Sequence, residues 1–166
     1  MNNIAETAEM KKILRMVKHI IPHRDITLII LKGHLLIEEL MFDQAASAMR
    51  DVSALKLSRL SFIKLFHLTK ALFGYSNDRR LCRAIEKLNS LRNELIHHLE
   101  VTKLQTLVEA FLRPCEEMME RISPTPESLD SRMRAALAFV YGTLLNISKY
   151  GTKKCSVEDR SLPTFR

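Results

Sequence analysis

The chain has 166 residues, of which 46% are hydrophobic, with 26 lysines and arginines against 19 acidic residues. This length suits one domain with a substantial core, and the few glycines and prolines argue against an all-β fold, which needs many turns. The net charge of +7 favours attraction to nucleic acid or to another anionic surface.

Cysteine usage and hydropathy predict the compartment. The three cysteines, at positions 82, 115 and 155, are odd in number and form no Cys-x-x-Cys pair, so we expect no disulfide framework and a reducing, cytoplasmic setting. Residues 1–19 are too polar for a secretory signal, and the most apolar run, 26–31, is too short to span a bilayer. We therefore expect a cytoplasmic protein that does not enter a membrane.

Two helices are predicted in the first third of the chain. The first covers about residues 3–20 and ends before Pro22, and the second runs over about 25–50 through many leucines and isoleucines. Residues 26–30 alone would also suit a buried strand, but their long continuation without breakers favours a helix. Gly33 is either a weak point of that helix or a site of close packing.

Four more helices follow in the prediction. The third, about 58–73, is closed by Gly74, and the fourth, about 78–99, begins after cap candidates at 76–78. The fifth covers about 101–122, prolines at 124 and 126 then break the chain, and the sixth covers about 127–150 and stops at Gly151. The pattern predicts an all-α, up-and-down helical bundle with flanking helices, in one domain over residues 1–150, followed by a disordered tail over 151–166.

The fourth predicted helix carries an arginine where its buried stripe calls for an apolar residue. A guanidinium stays charged and is costly to bury alone, so Arg92 needs acidic partners, a wet cleft or an anion such as phosphate. Asn93 and His97 lie one above the other on the helix, roughly 100–140° away from Arg92. The apolar members of the stripe are Leu81, Ile85, Leu88, Leu95 and Leu99.

Two segments carry a resemblance to a known superfamily. Residues 88–97, LNSLRNELIH, resemble the signature of the HEPN superfamily, whose domains are compact helical bundles marked by Arg-x(4–6)-His. Residues 31–40 resemble the long helix that precedes the motif helix in this group. The chain is also similar to the mannitol operon repressor family, in which an Arg-x4-His helix follows a comparable long helix. These resemblances cover about residues 25–100.

The resemblance implies a chemistry for the motif. Many HEPN proteins are metal-independent ribonucleases of toxin–antitoxin and phage-defence systems, so it implies RNA as the substrate, with no metal and no cofactor. His97 would act as general acid or base, Arg92 would hold the scissile phosphate, and Asn93 would orient the phosphate or His97. The composite sites of the family imply a homodimer, with an antitoxin or a regulatory protein as a further partner.

The sequence also supports an alternative function. The toxin branch of the superfamily adds x-Tyr after the histidine, whereas His98 and Leu99 follow His97 here. The alternative is a non-catalytic regulatory or protein-interaction protein that resembles the mannitol operon repressor family. An adaptor that dimerises through the second helix is a third hypothesis. An open positive cleft around Arg92 would favour the nuclease, and burial of Arg92 against Glu38 or Glu39 would favour the alternative.

Overall fold

The computed structural model describes residues 7–74, 78–97, 103–120 and 128–155. Within these ranges the chain forms seven α-helices and no strand, which confirms the prediction of an all-α helical bundle. In chain order the helices are α1 (Ala8–Ile20), α2 (Ile26–Ala48), α3 (Val52–Leu57), α4 (Phe62–Phe73), α5 (Arg79–His97), α6 (Leu104–Met119) and α7 (Leu129–Cys155).

Two features of the helix order differ from the prediction. Helix α3 is not predicted from the sequence, because its six residues are too few to show a helical period. The expected stop at Gly151 is wrong, since the backbone of α7 continues to Cys155. A single glycine costs about 1 kcal/mol inside a helix and does not have to end it. The rest of the expected tail, residues 156–166, and the proline break at 124 and 126 lie outside the described residues.

Side-chain caps begin four of the helices. The carboxylate of Asp25 accepts from the first turn of α2, and Thr7, Asp51 and Asp78 act in the same way at α1, α3 and α5. Ser61, which precedes α4, makes no such bond. At the other end of α4, Gly74 adopts a left-handed φ of 72° and its N–H donates to Lys70 O, which confirms the predicted closure.

Helix α2 is central to the bundle and packs against α1, α4, α5 and α7, while α6 packs between α5 and α7. A Cβ atom on Gly33 would lie 2.5 Å from Leu137 Cδ1, so this glycine is a site of close packing between α2 and α7. The Leu137 side chain occupies the space that a side chain at position 33 would need. The largest fully buried side chains come from α1, α2, α4, α5 and α6 and include Ile20, Ile30, Phe66, Leu88 and Phe111.

An arginine of α7 joins α7 to α6. The Arg132 guanidinium donates two hydrogen bonds to Glu109, at 2.8 and 2.9 Å, and two to Glu116, at 2.7 and 3.1 Å. Pro114 is buried inside α6 between these two glutamates. The carboxylates of Glu109 and Glu116 therefore lie on one face of α6, and both bind the same arginine of α7.

The outer face of α1 is apolar. Four side chains of this helix and that of its C-cap residue are large, hydrophobic and 40–57% exposed, namely Met10, Ile13, Leu14, Val17 and the capping Ile21. At 100° per residue they cover one continuous face, which we call the α1 stripe. In the part of the chain described here, no helix is both long and apolar enough to cross a lipid bilayer.

Candidate functional site

The three residues of the predicted motif have different environments. Arg92 and Asn93 are half-buried, and Arg92 Nη1 donates to Asn93 Oδ1 at 3.1 Å. His97 is exposed and is the last residue of α5. The structure therefore brings Arg92 and Asn93 together, whereas His97 does not line the recess into which they project.

This recess lies between α2, the beginning of α4 and α5, and has a volume of about 380 Å³. We call it the α4 recess. Most of its polar lining comes from side chains that are far apart in sequence and that only the packing of α2, α4 and α5 brings together. Its lining residues are His34, Glu38, Ser61, Phe62, Ile63, Asn89, Arg92 and Asn93.

His34 is the most deeply buried polar group of the α4 recess, with 2% of its surface exposed. Its ring stacks on Phe62, with the ring centroids 4.0 Å apart. Neither ring nitrogen has a hydrogen-bond partner within the described residues, and Glu38 Oε2 lies 3.8 Å from Nδ1. Burial and the charge of Arg92 lower the pKa of His34 to about 4, and the nearby Asn89 side chain raises this pKa by a smaller amount. The imidazole is therefore neutral at pH 7.

Glu38 is the acidic group beside Arg92. Burial raises the pKa of Glu38, the Arg92 charge lowers it, and the neighbouring Glu39 raises it again. Glu39 instead forms an ion pair with Arg15 of α1, at 2.7 Å. The ion pairs shorter than 4 Å in the described ranges do not include one between Glu38 and Arg92. The negative charge of Glu38 therefore lies near the Arg92 guanidinium without forming a close ion pair with it.

The first turn of α4 forms one wall of the α4 recess. Ser61 is extended, with φ −68° and ψ 158° typical of a cap position, but its hydroxyl makes no cap hydrogen bond. The N–H groups of Phe62 and Ile63 precede the first intrahelical bond of α4, which Leu65 N donates to Ser61 O at 2.9 Å. These free donors give the end of the helix a partial positive charge.

Sequence reasoning missed His34 and the first turn of α4. A signal for His34 was present, because it stands between Ile30, Ile37 and Met41 in a buried stripe, just as Arg92 interrupts the stripe of α5. Ser61 before an apolar run indicates a helix start, and nothing in the sequence says that its side chain leaves the first turn uncapped.

No group of three or more histidine, cysteine or acidic side chains in the described ranges is arranged to hold a metal ion. Comparisons with protein-family models, with curated proteins and with solved structures each find no match to this chain. The HEPN and mannitol operon repressor resemblances therefore rest on the sequence of residues 31–40 and 88–97 alone.

Proposed function

We propose that this protein is a HEPN-type RNA-binding domain and a metal-independent endoribonuclease of a toxin or defence type, which works in the cytoplasm as a homodimer. The observation that supports the proposal best is the state of Arg92. Its guanidinium is half-buried at the α4 recess and donates one hydrogen bond to Asn93 Oδ1. Within the described residues its other N–H donors have no hydrogen-bond acceptor, which leaves them to a phosphate. The net charge of +7 adds a general attraction to RNA.

RNA carries its own nucleophile, so the reaction needs little from the protein beyond proton transfer and charge stabilisation. His97 removes the proton of the ribose 2′-hydroxyl, and the 2′-oxygen attacks the adjacent phosphorus. The bond to the 5′-oxygen breaks, that oxygen takes up a proton from the protonated His97 or from water, and the products are a 2′,3′-cyclic phosphate and a 5′-hydroxyl. Arg92 neutralises the charge that develops on the phosphate, and Asn93 holds Arg92 in place.

The helix geometry supports a site shared by two copies. Arg92 and His97 are five residues apart on α5, which rotates them by about 140° and separates them by about 7.5 Å along the axis. One copy therefore does not direct both side chains at the same phosphate. A dimer in which two α5 helices face each other combines Arg92 of one copy with His97 of the other.

The experiment is RNA cleavage in EDTA by the wild type, Arg92→Ala and His97→Ala. We expect cyclic-phosphate ends from the wild type and none from either variant. Arg83→Ala, an exposed arginine of α5, and His67→Ala, an exposed histidine of α4, are matched controls that should retain activity.

Mixing the two inactive variants tests the shared site. Random exchange of subunits makes about half of the dimers mixed, and each mixed dimer regains one intact site, so activity should return to about a quarter of the wild-type value. No cleavage of a broad RNA panel by a folded wild type would reject the nuclease, and cleavage without recovery on mixing would reject the shared site.

A second candidate function is a non-catalytic regulatory or protein-interaction protein, and the α1 stripe favours it. Five exposed apolar side chains on one helix face are typical of a surface that binds another protein. In this function Arg92 would serve mainly as a countercharge for Glu38.

A double-mutant cycle with Glu38→Gln and Arg92→Gln separates the two functions. A coupling free energy of about 1 kcal/mol, together with absent cleavage, would favour the regulatory protein. Negligible coupling together with cleavage would favour the nuclease.

A further inference from the structure

We propose that the α4 recess binds a phosphate group between the first-turn N–H groups of α4 and the Arg92 guanidinium, with His34 at its floor. The inference rests on the proposed function in one respect, namely that RNA supplies the phosphate. It adds phosphate contacts from α4 and α2, neither of which belongs to the Arg-x4-His motif, to the contact that Arg92 makes.

Backbone donors at the start of α4 are directed toward the α4 recess. This helix has 12 residues, and its first turn faces the α4 recess through Ser61, Phe62 and Ile63. The backbone N–H groups at the start of a helix lack intrahelical acceptors and carry the positive end of the helix dipole, an arrangement that suits a phosphate. Since the Ser61 hydroxyl makes no cap hydrogen bond, it does not occupy these donors.

The buried ring of His34, which is unpaired among the described residues, supports the same subsite independently. It lines the same recess, is 98% buried, and has no hydrogen-bond partner for either nitrogen within the described residues. Buried polar atoms are normally paired, and an orphaned pair of nitrogens calls for an explanation. A phosphate oxygen, directly or through an ordered water, would accept the ring N–H, for which the described residues place no acceptor in hydrogen-bonding geometry.

The charges around the α4 recess indicate which kind of phosphate it takes. Arg92 contributes one positive charge and the α4 terminus about half of one, whereas Glu38 opposes them with one negative charge when ionised. The small positive balance favours a singly charged phosphodiester over a doubly charged phosphomonoester. The volume of about 380 Å³ lies within the range of small-ligand sites and leaves room for a ribose.

The opposing role of Glu38 leads to an unusual expectation. Because Glu38 repels an anion in the α4 recess, Glu38→Gln should bind phosphate more tightly than the wild type. A gain of affinity is informative, since a misfolded variant would lose affinity.

The experiment follows amide chemical shifts of the ¹⁵N-labelled full chain at pH 7 during titration with inorganic phosphate, at constant ionic strength against chloride. We expect saturable shifts at the amides of Phe62 and Ile63 and at the His34 ring. Arg92→Gln should weaken binding at least tenfold, His34→Phe should weaken it several-fold while it keeps the ring on Phe62, and Glu38→Gln should tighten it several-fold. Arg83→Gln, an exposed change on the same helix, is the matched control.

Further titrations identify the source of the phosphate. Dimethyl phosphate represents the diester of RNA, a nucleoside 5′-monophosphate represents a free nucleotide, and a non-cleavable RNA dinucleotide represents the polymer. Tighter binding of the dinucleotide than of the monophosphate is expected, and the reverse order would overturn the assignment to RNA.

The outcomes separate this inference from the proposed nuclease. Phosphate shifts at α4 without RNA cleavage would retain the subsite and reject the nuclease. Cleavage with no saturable shift at Phe62 or Ile63 would overturn the subsite, as would looser binding by Glu38→Gln.

Discussion

A Cβ atom added to Gly33 of α2 would lie 2.5 Å from Cδ1 and 2.7 Å from Cδ2 of Leu137 in α7. Leu137 is fully buried, so its side chain has little space into which it could move. The approach of α2 to α7 therefore depends on the absence of a side chain at position 33. The rest of the bundle is arranged around this contact, because α2 touches four of the other helices.

Gly33→Ala should destabilise the protein by about 1–2 kcal/mol in urea unfolding, since overpacking outweighs the better helix propensity of alanine. Gly142→Ala in α7 is the matched control, because nothing lies within 4 Å of its added Cβ. It should stabilise the protein by about 0.5–1 kcal/mol. Equal stabilisation by both changes would show that the α2–α7 contact is looser than described.

Arg132→Met should lower the free energy of unfolding by about 2–3 kcal/mol, because it removes four charge-assisted hydrogen bonds and leaves Glu109 and Glu116 close together without a cation. Arg132→Lys should recover less than half of this loss, since an ammonium does not reproduce the planar fork. Arg113→Met is the control, because Arg113 is 83% exposed and its ion pair with Glu117 spans 3.4 Å. It should change stability by less than about 0.5 kcal/mol. Similar losses for Arg113→Met and Arg132→Met would contradict a special role for Arg132.

The stability of the protein should fall on acidification through the titration of His34. The folded chain holds the pKa of His34 at about 4, below the ordinary value of 6.5, so between these values the unfolded chain binds the extra proton. Lowering the pH from 7 to 4 therefore favours unfolding, by an amount on the order of 3 kcal/mol for a group buried this deeply.

The measurement is urea unfolding of the wild type and His34→Phe at several pH values between 4 and 7. As the pH falls, the wild type should lose more stability than His34→Phe, so the free energy of unfolding of the variant should rise relative to that of the wild type. His67→Phe, a change at an exposed ring of α4, should follow the pH dependence of the wild type. Parallel curves for the wild type and His34→Phe would show that His34 does not carry this dependence.

The sequence predicted the helices whose apolar residues repeat clearly, and it predicted the anomaly at Arg92. It did not predict what surrounds Arg92, because that depends on how α2 is rotated about its own axis. The buried residues of α2 cover about half of its circumference, but apolar residues such as Leu28, Leu35 and Phe42 lie on the other half, so the apolar pattern does not mark one outer face. For that reason the sequence left both Glu38 and Glu39 open as partners of Arg92. In the structure Glu39 pairs with Arg15, and Glu38, about 100° away on the helix, lies beside Arg92.

The helical period of the sequence also does not predict that His34 and the start of α4 belong to one site. The two segments are 27 residues apart or more, and only the packing of α2 against α4 brings the His34 ring onto Phe62. Pairing of this kind is set by tertiary contacts, which a helical period does not encode. The position of His97 outside the α4 recess follows directly from helix geometry once Arg92 is placed.

The proline in α6 makes that helix depend on its neighbour. Because Pro114 has no N–H, the carbonyl of Ala110 loses its intrahelical donor, and the ladder of α6 is interrupted between Glu109 and Glu116. Arg132 binds Glu109 before the interruption and Glu116 after it, and so connects the two parts of α6. The two halves of α6 are thus joined through α7, and their amide protons should exchange with solvent only when α6 and α7 open as one cooperative unit.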